Sequence, residues 1–178
     1  MLLYTLILFT SINMFQSPNV IFEFNSGSSP TGWQIVDDRV MGGRSQGEFF
    51  INSQGKGMFK GYVSTENNGG FSSLRYNFEG IKTSGFKAIV LKLTGDGKTY
   101  QFRLKSNDNQ RHSYIYSFTT TGLDQEIIIP LKDFHPSFRG STLNMPNFDA
   151  EKIEQIAFLI ANKANERFKL AIESISLK

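Results

Sequence analysis

Short runs in which apolar and polar residues alternate fill most of the chain. In TYQFRLKS, Tyr100, Phe102 and Leu104 fall on one side and Gln101, Arg103 and Lys105 on the other. That two-residue period is the mark of a strand with one buried face. FKAIVLKLT (86–94) places Ile89, Leu91 and Leu93 together, and ERFKLAIESISL (166–177) does the same with Phe168, Leu170 and Ile172. The same reading predicts strands at 19–24, 33–36, 48–51, 57–65, 71–78, 112–120 and 125–131. IEQIAFLIA (153–161) has some helical propensity, but its apolar run is short, β-rich and flanked by strands, so it reads as a strand too. NSGSSPTG, NSQGKG, GDGK and NDNQR supply the turns. LKDF and FDAEK each have room for one helical turn. With roughly a dozen strands and so little helix, the pattern predicts an all-β chain of two packed antiparallel sheets.

Two stretches break the alternation. VDDRVMGGRSQG (36–47) and STENNGG (64–70) concentrate charge, amides and glycine between predicted strands. They are where a site is expected. Arg103, Lys105 and Arg111 form a second polar group on or near one strand face, with Tyr100, Tyr114 and Tyr116 close in sequence. Basic groups among aromatics suit a nucleic acid or a sugar, but Tyr100 faces away from Arg103, and Asp96 and Asp108 dilute the charge. A solvated sheet face is the plainer reading.

Composition narrows the classes. At 178 residues one domain over 19–178 is expected, with enough length for a sizeable core. The 17 Phe supply much of that core, and a net charge of +3 is too small and scattered to argue for nucleic acid. The absence of Cys excludes disulfides, thiolate catalysis and cysteine zinc sites. With only His112 and His135, a multi-histidine metal site within one chain is not expected. Residues 1–16 stand apart: Leu2 to Phe9 suits a signal-peptide core and is short for a membrane span. The reading favours an exported protein, with an N-terminal strand or a mis-assigned start as the alternatives.

Within the first polar stretch, Asp37 and Asp38 are adjacent. On a strand they would point to opposite faces, which does not suit an acid/base couple. One carboxylate is expected to accept loop amides or to pair with Arg39 or Arg44, and the other to be solvated. A metal ligand set is the alternative. Met41, Gly42, Gly43, Arg44 and Ser45 fit either a tight turn or an anion-binding nest. No P-loop or dinucleotide fingerprint is present. Glu66, Asn67, Asn68, Gly69 and Gly70 read as a connecting loop in which Asn and Gly supply left-handed backbone. No serine sits in a nucleophile motif.

Trp33, VDDRVMGGRSQG and FKGYVSTENNGGFSSLR together resemble the family of NADH:ubiquinone oxidoreductase complex I intermediate-associated protein 30. GDGKTYQFRL (95–104), IPLKDF (129–134), Arg139-Gly140 and FKLAIESISL agree with this, so the likeness spans about 20–178. The matched positions are Trp33, Asp37, Asp38, Met41, Gly42, Gly43, Arg44, Ser45, Gly61, Asn68, Gly69, Gly70 and Phe71. The resemblance implies a galactose-binding-like jelly-roll β-sandwich and a short, single-domain, bacterial-type member. Mitochondrial members are non-enzymatic assembly factors, so it also implies a binding module for a protein partner. It carries over no catalytic residue and no cofactor.

The candidate binding residues are therefore Asp37, Asp38, Arg39, Met41, Gly42, Gly43, Arg44, Ser45, Glu66, Asn67, Asn68, Gly69, Gly70 and Arg75. The two polar stretches are expected to be neighbouring loops at one end of the sandwich, with Asp38, Arg44 and the Asn-Gly turn holding each other. A protein partner is the leading ligand, a glycan bound by an exported module the alternative.

Overall fold

The computed structural model describes residues 19–178, so the signal-peptide reading of 1–16 lies outside the described residues. In chain order the strands are β1 (Asn19–Glu23), β2 (Trp33–Asp37), β3 (Gln46–Ile51), β4 (Gly57–Val63), β5 (Ser72–Lys82), β6 (Ala88–Thr94) and β7 (Thr99–Lys105). They continue with β8 (Ser113–Thr119), β9 (Asp124–Pro130), β10 (His135–Phe138), β11 (Ser141–Thr142), β12 (Lys152–Ile160) and β13 (Glu166–Leu177). Every pairing is antiparallel. A six-stranded sheet runs β3-β4-β13-β6-β9, with β1 joining the far end of β13. A seven-stranded sheet runs β11-β10-β8-β7-β12-β5-β2. These are the two packed antiparallel sheets that the alternation predicts, in the jelly-roll arrangement that the family resemblance implies.

The predicted faces hold. Tyr100, Phe102 and Leu104 of β7 are buried against Ile156 and Phe158 of β12 within the seven-stranded layer. Leu170, Ile172 and Ile175 of β13 are buried beside Phe59, Leu91 and Leu93 in the other. Burying one such side chain contributes about 1.5–3 kcal/mol, and the inner faces of both sheets feed one continuous cluster. At one flank an aromatic group of Phe22, Phe24, Trp33, Phe49 and Tyr76 bridges the two sheets, with Trp33 stacked on Tyr76 at 4.8 Å.

Two expectations change. FDAEK (148–152) is not a helical turn; it runs as irregular chain into β12. The short 3₁₀ turns lie instead at Asp38–Met41, Glu66–Asn68 and Leu131–Asp133, the last within LKDF. β10 and β11 go unread in the sequence because β10 carries Pro136, which removes a ladder donor, and β11 is a two-residue strand. Among the described residues no helix is long and apolar enough to cross a membrane.

Candidate functional site

β2 and β5 belong to one sheet, β3 and β4 to the other. The two polar stretches connect β2 to β3 and β4 to β5, so both must cross between the sheets at the same end. β2 stops at Asp37, and the chain turns through 3₁₀ geometry from Asp38 to Met41, closed by Gly42 in left-handed backbone at φ 85°. The second stretch turns at Asn67 and Asn68, both left-handed at φ 55° and 60°. Asn tolerates that geometry better than most residues with a Cβ.

Asp38 is the hub where these loops meet. It is fully excluded from solvent. Its Oδ1 accepts the Ser45 N–H at 3.1 Å, and its Oδ2 accepts the Ser45 hydroxyl at 2.6 Å and the N–H groups of Gly70 and Phe71 at 2.6 and 3.2 Å. The Ser45 hydroxyl in turn accepts the Ser64 N–H at 3.0 Å. Asp37 works beside it: Oδ2 accepts the Gly47 N–H at 3.0 Å and Oδ1 the Ser72 hydroxyl at 2.7 Å. Gly47 lies on β3 and Ser72 on β5, so this carboxylate ties the sheets together.

Burial pushes the Asp38 carboxyl up, but the hydrogen bonds from Ser45, Gly70 and Phe71 outweigh it and hold the group below its ordinary value. The glycines of the motif make room for these oxygens. A Cβ on Gly43 would run into the Asp38 carboxylate, and one on Gly69 would sit 2.6 Å from Asp38 Oδ2.

Three expectations about this region are corrected. Asp37 and Asp38 do not diverge, because the chain leaves strand geometry between them and both carboxylates turn into the sheet junction. Asp37 is not solvated but bonded to both sheets. Arg44 does not hold Asp38, and neither does Arg39, which is exposed. Arg44 pairs with Glu66 at 2.8 Å across the two loops, with both side chains more than half exposed. Asn67 Nδ2 adds a bond to the Gly42 carbonyl at 3.1 Å, so the loops are neighbours as expected. Of the candidate binding residues, the Met41 side chain lies outside what the structure describes.

Arg75 does not join the loop cluster. It lies on β5 between Gln34 and Ala157, on the outer face of the seven-stranded sheet, in the same row as Arg103. That face is not simply solvated, since Arg75, Arg103 and Lys105 are each half-buried. Arg111 leaves the group and lies over the Phe138 ring. Tyr100 is buried and donates to Asp96 Oδ1, while Tyr114 and Tyr116 pack inward on Phe148 and Phe134. The sequence reading missed Ser64 and Asn165. Asn165 Oδ1 accepts the Thr65 N–H at 2.7 Å and its hydroxyl at 3.1 Å, tying the second loop to the β12–β13 turn from 100 residues away. No local signal marks such a pair.

Chemically, the cluster is a hydrogen-bonded tie beneath a polar rim. Its two carboxylates spend their oxygens on loop amides and hydroxyls. Among the described residues no group of three or more His, Asp or Glu gathers as metal ligands.

Known proteins place this architecture. A family 11 carbohydrate-binding module from Clostridium thermocellum, solved with a β-1,3-1,4-mixed-linked tetrasaccharide, superposes with a TM-score of 0.66 at 18% identity, covering 90% of this chain and 94% of that one. The agarase AgWH50C matches with a TM-score of 0.63 at 14% identity over 92% of this chain but 24% of its own. At these identities the likeness establishes the fold. An uncharacterized protein of Schizosaccharomyces pombe is 29% identical over 174 residues, 82% of this chain and 80% of that one. The family model described as Complex I intermediate-associated protein 30 matches residues 22–172, which include the whole of the Asp38 cluster, and the chain belongs to that family.

Proposed function

We propose that the chain is a non-catalytic binding module that recognises a protein partner, in an assembly role related to the one its family is described by. One observation carries this reading: the carboxylates of the shared motif are consumed in holding two loops, while the outer rim of those loops is left charged and exposed. Arg39, Arg44, Glu66, Asn67 and Asn68 all face solvent there. A general base or nucleophile needs a free lone pair aimed at substrate, and Asp37 and Asp38 are committed elsewhere. The test is cross-linking and co-purification of the full chain from the cell that makes it, beside an Arg39→Glu/Arg44→Glu variant. The wild type is expected to bring down components of a respiratory NADH dehydrogenase, and the variant to lose them while keeping its circular dichroism. A wild-type protein that stays solitary overturns the reading.

The second reading is carbohydrate binding. It is supported by the carbohydrate-binding-module fold and by Phe50 and Tyr62, exposed at 36% and 39% on the outer face of the six-stranded sheet. Aromatic rings of that kind serve as sugar platforms. A glycan array without hits for the full chain would remove this reading for the glycans it displays.

A further inference from the structure

The outer face of the seven-stranded sheet carries charge that the fold does not use. Strand register sets it out. Gln34, Arg75, Ala157, Arg103, Ile115 and His135 form one row across β2, β5, β12, β7, β8 and β10. Neighbouring strands lie about 4.8 Å apart, so the backbones of Arg75 and Arg103 are roughly 10 Å apart with only the methyl of Ala157 between. Lys105 stands two residues beyond Arg103 on the same face, opposite Gln155.

All three cations are held at a cost. Burial, then the charge of Arg75, bring Arg103 down to about 10. Burial, then Arg75, also lower Lys105, against the opposing pull of Asp108, and burial lowers Arg75 itself. Among the described residues none of the three forms an ion pair, whereas Arg44, Lys56, Lys60, Lys98 and Lys152 all do. Arg103 is also held in position, with its Nε and one Nη donating to Gln101 Oε1 at 3.1 and 2.7 Å. Like charges crowded and desolvated, with no ion pair to offset them, destabilise a fold. A bound anion relieves that cost, and such an arrangement is characteristic of a site.

The surroundings select the anion. Tyr100, Tyr114 and Tyr116 all point into the core, and the outward positions of β2, β5, β12, β7 and β8 hold no aromatic ring to stack on a sugar or a base. Asp108 and Glu154 border the group at the Lys105 end, and three cations are few for a nucleic-acid backbone. Two arginines in one row, separated by Ala157, carry planar guanidiniums that match planar carboxylates, which such groups can bind in a bidentate fashion. We propose that Arg75, Arg103 and Lys105 bind the side-chain carboxylates of an acidic polypeptide segment laid across the outer face of the seven-stranded sheet. The proposal rests on the reading that the protein binds another polypeptide, and it places a contact away from the Asp38 loops.

The test is calorimetric titration of the full chain with poly-L-glutamate at low salt, with polygalacturonate and sodium sulfate as comparison ligands. Poly-L-glutamate is expected to bind, and Arg75→Ala or Arg103→Met to weaken it by about tenfold or more. Lys92→Met, which removes one exposed cation from the other sheet, is expected to bind as the wild type does. Arg103→Met keeps the aliphatic stem and removes a desolvated charge, so its urea midpoint should rise while its binding falls. A purely structural arginine would show the reverse. No binding, binding to polygalacturonate in preference, equal displacement by sulfate, or a larger loss in Lys92→Met than in Arg103→Met each overturns the site. If the site fails while the Arg39→Glu/Arg44→Glu variant still loses its partner in the cell, the protein-binding reading stands without this contact. If poly-L-glutamate binds as expected while the wild type is solitary in the cell, the site stands and the assembly reading fails.

Discussion

Asp38 accepts four hydrogen bonds in a position closed to water, and hydrogen bonds to a charged acceptor are about twice as strong as neutral ones. Asp38→Asn keeps the shape but sets an NH₂ against either the Ser45 N–H or the donors around Oδ2. The expected cost is about 2–4 kcal/mol, read from urea unfolding at pH 7. The pH dependence has a definite sign. The folded carboxyl lies below its ordinary value of 3.8, so the stability it contributes is present above that value and is lost as pH falls through the folded pKa. The gap between wild type and Asp38→Asn should therefore narrow below about pH 4; a gap that is flat down to pH 2 would contradict the ionised clasp. Gly69→Ala tests the same contact from the other side. Its backbone, at φ −72°, accepts a side chain, but the new Cβ would meet Asp38 Oδ2 at 2.6 Å. A loss of about 1–3 kcal/mol is expected. It should shrink in an Asp38→Ala background, since the two changes share one space; simple additivity would count against the crowding.

At the scale of the loops, the internal tie and the exterior rim separate cleanly. Arg44→Ala removes an exposed ion pair and should change stability by under about 1 kcal/mol, although it lies within the same motif as Asp38. Asn165→Ala removes the acceptor for both Thr65 donors. It should cost about 1 kcal/mol and speed hydrogen exchange at the Thr65 amide, leaving exchange within β7 and β12 unchanged. Exchange that rises throughout would mean that the turn is not a local unit. The loops also show where sequence reading succeeds and where it stops. The strands were legible because the period of two is written in single stretches such as Tyr100, Phe102 and Leu104. That the two polar stretches adjoin was legible from their shared motif. The directions of Asp37 and Asp38 were not, because the alternation rule fails at the residue where a strand ends. The Arg75–Arg103 row was not legible either. It depends on register across β12, with Ala157 as the common neighbour, and that pairing joins residues far apart in the chain.

For the molecule as a whole, the sandwich is closed by its first described strand. β1 pairs with the end of β13, Asn19 opposite Leu177 and Glu23 opposite Ser174, so the two ends of the described chain lie side by side. β1 also delivers Phe22 to the aromatic group that spans the sheets, and Phe24 follows directly behind it. Trp33 is the sole tryptophan and is buried among these rings, so its fluorescence reports on this closure. A chain that starts at residue 19 retains every pairing of β1 and is the reference for urea unfolding and for Trp33 emission. A chain that starts at residue 26 loses β1 together with Phe22 and Phe24. Removing one buried phenylalanine costs about 3–5 kcal/mol, and whole domains have only about 5–15 kcal/mol in hand. The shorter chain should therefore show a red-shifted emission and a broad or absent transition, while the chain from residue 19 stays cooperative. Equal midpoints for the two would mean that the sandwich does not depend on β1, and that Trp33 is held by β2, β3 and β5 alone.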